Sequence, residues 1–157
     1  DQVLSLMREI QNETGMAIIL VTHDLGVVAQ MAQQVAVMYA GQLVESGSVD
    51  QIFHHSAHPY TEGLRGALPG RKMKYGSKLV AIDGSPPDLF SPPQGCGYFA
   101  RCPYAMKVCA SHLPELISIE GGDQSMIGGT HHARCWLQHA GAPRVESIQQ
   151  PSFGLEH

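Results

Sequence analysis

Two sets of residues in this 157-residue chain have the types and spacing to do chemistry. The first is Cys96, Cys102, Cys109 and Cys135, spaced C-x5-C-x6-C-x25-C. Thiolates are soft ligands for zinc or an iron–sulfur cluster, and pairs of thiols close disulfides. The spacing lacks the C-x2-C pairs of a zinc ribbon, so it does not choose among a cluster, a zinc ion and two disulfides. Residues 94–139, which carry all four cysteines, have little apolar material, and a segment so short of core residues needs a staple. The second set is Thr22-His23-Asp24, at the end of the apolar run Met16-Ala17-Ile18-Ile19-Leu20-Val21. An imidazole there can donate a hydrogen bond to developing phosphate charge while a neighbour orients its other nitrogen. Alone, a polar cap on a buried strand is more often structural than functional.

The other histidines invite plainer readings. His131 and His132 lie four and three residues before Cys135 and are candidate substitute ligands, although solvated loop histidines are the commoner case. His54, His55 and His58 can bind adventitious metal, but His58 precedes Pro59 at a helix start and its expected work is local geometry. Trp136, next to Cys135, is read as a packing residue over the cysteines.

Periodicity supplies the elements that position these groups. Val3, Leu6, Met7 and Ile10 predict an amphipathic helix over 2–13, with Gly15 in the left-handed position past its end. Residues 16–21 read as a strand buried on both faces, as in a parallel sheet, which places Thr22-His23-Asp24 where open α/β sheets bind ligands. A helix over 25–33 follows, then a strand over 35–39, a turn at Gly41 and a second strand over 42–45. Ser48 caps a helix over 49–53, and Pro59 opens another over 59–68. The first 68 residues thus form an α/β pattern. From Pro69 to Pro93 the Gly and Pro content predicts loop, helix is expected only over 102–110 thereafter, and residues beyond Gly141 read as a disordered tail.

Composition narrows the function classes. An apolar fraction of 43% fits a globular protein and excludes wholesale disorder. The net charge of −4, with only Arg71, Lys72 and Lys74 near one another, excludes an extended nucleic-acid surface. No apolar run approaches the ~20 residues of a membrane span, and no secretory signal is present. The opening at Asp1 without an initiator Met suggests an excised segment, and Leu155-Glu156-His157 reads as the start of a vector-encoded polyhistidine tag.

The order of motifs then points to a family. Ile18 to Ala29, with His23 and Asp24 at its centre, resembles the switch-histidine segment of ABC-transporter ATPases. Val37 to Gly47 resembles the strand pair that follows it, and His58-Pro59-Tyr60-Thr61 with Leu64 and Pro69 looks like the marker of the oligopeptide and dipeptide importers. Gly84-Ser85-Pro86-Pro87 and the cysteine region resemble that family's C-terminal extension, so the resemblance covers roughly 1–137. It implies an α/β fold: the C-terminal part of a nucleotide-binding domain over 1–68, a loop-rich cysteine-containing extension over 69–140, and a tail over 141–157.

In function, the resemblance implies an ATP-binding subunit that couples ATP hydrolysis to peptide uptake. It would act with Mg²⁺, a second ATP-binding subunit and two membrane-spanning permease subunits at the cytoplasmic face of the bacterial inner membrane. His23 is then the residue that contacts the γ-phosphate of ATP and helps position the attacking water. The chain contains no G-x-x-x-x-G-K-[ST], and the family's signature and Walker B segments are also absent, so it is expected not to hydrolyse ATP alone. A cytosolic setting disfavours persistent disulfides. Several family members carry a [4Fe–4S] cluster on these cysteines, which implies one on Cys96, Cys102, Cys109 and Cys135, with zinc or no metal as the alternatives and loss in air expected for a recombinant sample. Unpaired sheet edges would be covered by self-association. The alternative function is an autonomous metal-binding or interaction module.

Overall fold

The computed structural model describes residues 2–67, 82, 84–119 and 131–150. Expectations for the loop over 69–81, the basic trio Arg71, Lys72 and Lys74, and the tag over 155–157 lie outside these residues. The chain divides into two compact units, Asp1–Gln33 and Gln34–His157.

In the first unit, α1 spans Gln2–Thr14. Gly15 ends it with φ of 69°, a conformation glycine adopts without steric cost, and donates its N–H to Gln11 O at 2.8 Å. The buried strand expected over Met16–Val21 does not form: these residues join no ladder, and Ile19 and Val21 are each 93% exposed. A central parallel strand is held by hydrogen bonds to neighbours and by helices over both faces, and no described residue of this unit supplies either. The helix α2 spans Leu25–Met31, shorter than expected because Ala32 turns extended.

The second unit is built on a four-stranded antiparallel sheet of order β1-β2-β4-β3. β1 (Gln34–Tyr39) and β2 (Gln42–Ser48) form a hairpin whose two turn residues, Ala40 and Gly41, have φ of 48° and 76°. Two positive-φ residues give the mirror-image turn that matches strand twist. Val37 faces Glu45 and Met38 faces Leu43, so Val44 is an extra residue in β2. This break in alternation buries Val44 and Glu45 side by side. β3 (Ile117–Ser118) and β4 (His132–Ala133) were not anticipated, because two-residue strands leave no periodicity.

Ser48 and Gln51 form a reciprocal capping box at the start of α3 (Val49–His54). Pro59 opens α4 (Pro59–Gly66) with His58 as its N-cap. The core is Val37, Tyr39, Val44, Ile52 and Tyr98, with Tyr60 packed against it. Where one helix was expected over 102–110, Cys102 and Pro103 separate a 3₁₀ turn (Phe99–Arg101) from a short α5 (Lys107–Ser111). The described part of the expected tail is also ordered: Ile148 is 4% exposed, and Gln149 donates its N–H to Ser56 O at 2.8 Å. Gln138 and Gln150 tie that segment down through backbone carbonyls, which low apolar content had hidden. The mixture of helices and sheet agrees with the expected class.

Candidate metal centre

All four cysteines are free thiols, and all four line one cavity in the second unit. Different elements deliver them. Cys96 precedes the 3₁₀ turn and Cys102 ends it, while Cys109 lies in α5 and Cys135 precedes a second 3₁₀ turn, Trp136–Gln138. Cys96 N–H donates to Cys109 O at 2.8 Å, which stitches two of these pieces directly. Gly95 permits that contact: a Cβ there would sit 2.2 Å from Cys109 O. The cavity that the four cysteines line has a volume of about 10 Å³, room for roughly one water.

Electrostatics pull the thiols two ways. Burial pushes Cys96 and Cys135 up and Cys102 up to about 11, and the nearby thiols raise them further by mutual repulsion. Against this, Tyr98 and Phe99 direct backbone N–H groups at Cys96, Tyr104 directs one at Cys102, and Leu137 one at Cys135. Such donors favour the thiolate, the form that binds metal. In each of these three cysteines a donor comes from two residues further on, a consequence of the tight turn following the sulfur. Among the described residues no three of His, Cys, Asp and Glu are gathered closely enough to hold a single ion.

The walls of the cavity are largely apolar and aromatic. Trp136 lies in them, anchored by donation from Nε1 to His112 O at 2.8 Å and by a tilted stack on His139. Tyr98 packs edge-on to Tyr39 at 5.3 Å, and burial pushes its hydroxyl up to about 12. Arg101 donates to Tyr39 Oη and to Ile82 O, tying the 3₁₀ turn to β1.

Two residues that the sequence left in the background are central. Glu45 is wholly buried: Oε1 accepts from Ala57 N–H at 2.7 Å and hydrogen-bonds His131 Nε2 at 2.8 Å, while Oε2 accepts from His58 N–H at 3.0 Å. It holds the chain entering α4 against β2. His58 accepts the N–H of Tyr60 on Nδ1 at 3.0 Å, as a local-geometry role requires, but its ring also lines the cysteine cavity. A carboxylate within a strand carries no signal of this kind.

The remaining candidates separate cleanly. His131 and His132 are buried, not solvated as expected, because β4 carries His132 into the sheet and Glu45 binds His131; neither lines the cavity. His54 and His55 are exposed, and the His54–Asp50 contact at 3.9 Å is a solvated surface pair. In the first unit, His23 is exposed and sits one residue before the N-cap of α2. Asp24 Oδ1 accepts from Gly26 N–H and Val27 N–H, and Asp24 N–H donates to Thr22 Oγ1, which fixes the backbone on the C-terminal side of the imidazole.

Comparison with known proteins agrees with the order of motifs. Residues 44–109 match the family model for the C-terminal region of oligopeptide/dipeptide transporters. The dipeptide transport ATP-binding protein DppD of Bacillus subtilis (strain 168) is 49% identical over 137 residues, covering 87% of this chain and 38% of that protein. The oligopeptide transport ATP-binding protein OppD of the same organism is 44% identical over 145 residues, 92% of this chain and 38% of its own length. DppD of Lactococcus lactis subsp. cremoris (strain MG1363) is 40% identical over 144 residues, 92% of this chain and 39% of its own. The chain therefore spans well under half the length of these relatives. By that match, residues 44–109 belong to the C-terminal region of the oligopeptide/dipeptide transporter family, and over most of its length the chain is similar to ATP-binding proteins of dipeptide and oligopeptide transport.

Proposed function

We propose that the whole protein is the ATP-binding subunit of an ABC importer for oligopeptides or dipeptides, coupling ATP hydrolysis to uptake. The observation that carries this is the high identity, across most of the chain, to proteins named for peptide transport and ATP binding. The subunit would work with Mg²⁺, a second ATP-binding subunit and two permease subunits, peripherally at the cytoplasmic face of the membrane. No described helix is long and apolar enough to cross a membrane. In this reading residues 1–68 belong to the nucleotide-binding domain, 69–140 to the family's extension and 141–157 to its tail. His23 contacts the γ-phosphate, and its exposed position ahead of a capped helix supports that role. This chain has no phosphate-binding loop, so it hydrolyses no ATP by itself. The test is ATPase and peptide-uptake activity of the full-length subunit in its transporter, with His23→Ala abolishing both. Turnover by the present chain that disappears with His23→Ala overturns the assignment of activity to the larger protein.

We also propose that Cys96, Cys102, Cys109 and Cys135 hold a [4Fe–4S] cluster. That all four cysteines line one cavity carries this reading, and the backbone donors to three of them suit thiolate ligation. The donors fit in type and number. The void is smaller than a cluster, so binding has to spread the thiol side chains. A bound cluster would supply a one-electron redox couple and a four-point cross-link; the protein's part is to bury it, aim N–H groups at its ligands and exclude water. Zinc is the competing occupant, and elemental analysis of protein purified without oxygen separates the two. The alternative of an autonomous metal-binding module draws on Gln34–His157 being a compact unit with its own core. Stable folding and metal uptake that are indifferent to the rest of the subunit would favour it.

A further inference from the structure

His58 carries a hydrogen-bonding group that neither the helix nor the sheet uses. Its ring is 1% exposed and lines the cavity of the four cysteines. Nδ1 accepts from Tyr60 N–H, so the proton of the neutral ring lies on Nε2, an assignment that follows from the hydrogen bonding. Among the described residues, the buried Nε2 has no partner. Buried donors are nearly always satisfied, and one left open asks for an explanation. Capping α4 does not provide it, because Ser or Thr would cap as well without burying a second polar atom. What distinguishes histidine here is a donor on the far side of the ring, in the wall of a sulfur-lined cavity.

We propose that His58 Nε2–H is the hydrogen-bond donor to the metal–thiolate group held by Cys96, Cys102, Cys109 and Cys135. The inference rests on the cluster reading above and adds a positioning residue to it. A donor aimed at cluster sulfur stabilises the reduced state, which carries more negative charge, and so raises the reduction potential. It also joins the start of α4 to the occupancy of the centre, because one ring caps the helix and contacts the ligand group.

Asparagine and glutamine separate the two jobs. Asn places a carbonyl where Nδ1 sits and keeps the cap, but falls short of the cavity. Gln reaches the position of Nε2 but caps poorly. The whole chain is reconstituted anaerobically with ferrous iron and sulfide, and iron, sulfide and reduction potential are measured. We expect His58→Asn to keep its iron and lose about tenfold in the reduction equilibrium, ~59 mV for one electron, while His58→Gln stays near the native potential. Loss of iron from Asn with retention by Gln also supports the donor. Equal shifts in both variants, or none in Asn at full iron content, overturn the proposal. In unsubstituted chain carrying ¹⁵N-histidine, pulsed EPR of the reduced cluster should show one coupled imidazole nitrogen; its absence overturns the proposal without any substitution. Failure of the unsubstituted chain to bind iron overturns the cluster reading itself, and this inference with it.

Discussion

Replacing Glu45 by leucine removes the anchor between β2 and the start of α4. The carboxylate satisfies Ala57 N–H, His58 N–H and His131 Nε2 at 2.7, 3.0 and 2.8 Å, with no exposure to water. Leucine is of similar volume, so the variant leaves three buried polar groups open without creating a large void. Each open group costs about 1–3 kcal/mol, and the apolar side chain returns about 1.5–3 kcal/mol. Mid-range values give a net loss of about 4 kcal/mol, a large share of a domain stability of about 5–15 kcal/mol. Glutamine keeps one acceptor oxygen but sets an amide N–H against a backbone N–H, so about 2–3 kcal/mol is expected. The assay is urea unfolding of the reduced, metal-free chain, followed by fluorescence of Trp136 and far-ultraviolet dichroism. The ranking should be native, then Glu45→Gln, then Glu45→Leu, with cavity thiols reacting faster in the same order. Glu45→Leu within about 0.5 kcal/mol of native would refute the reasoning, since that is the range of inert surface changes.

Gly95→Ala forces a Cβ to within 2.2 Å of Cys109 O, so the Cys96–Cys109 backbone bond should break. Thiol titration is expected to show Cys96 and Cys109 becoming more reactive, with iron uptake falling more than tenfold. Truncation after Gly141 exposes the contacts of Ile148 and releases the backbone bonds made by Gln149 and Gln150, and thermal unfolding should report a loss of about 2–4 kcal/mol. Burial holds His58 down at about 3, from 6.5 in the unfolded chain. Between those pH values the unfolded state binds a proton that the folded state refuses, so this contribution to stability is lost as pH falls below 6.5, by about 2 kcal/mol at pH 5. Urea unfolding against pH should accordingly be flatter in His58→Asn than in the native chain over that window.

Local chemistry was legible wherever one residue decides it. Gly15, Ser48 and Pro59 mark helix ends by backbone preference, and each element ended or began as these residues required. The run Met16–Val21 has the composition of a central strand, but composition cannot supply the neighbours on which such a strand depends. Residues 94–119 and 131–150 were hard to read because backbone and side-chain hydrogen bonds hold them more than periodic apolar faces do. Gln138, Gln149 and Gln150 join in a network that no pattern announces. The cysteines stood out by type, yet their spacing did not say that two 3₁₀ turns and a short helix bring them to one cavity. The importance of Glu45 and of the far side of His58 was hidden, since both depend on contacts between positions distant in the chain.

The most direct test of the metal centre is elemental and spectroscopic analysis of the full-length subunit purified without oxygen. Roughly four iron and four sulfide per chain are expected, with the visible absorbance of a [4Fe–4S] cluster that is lost when Cys135 is replaced by serine. A colourless protein free of iron and zinc, with four titratable thiols, would contradict the account.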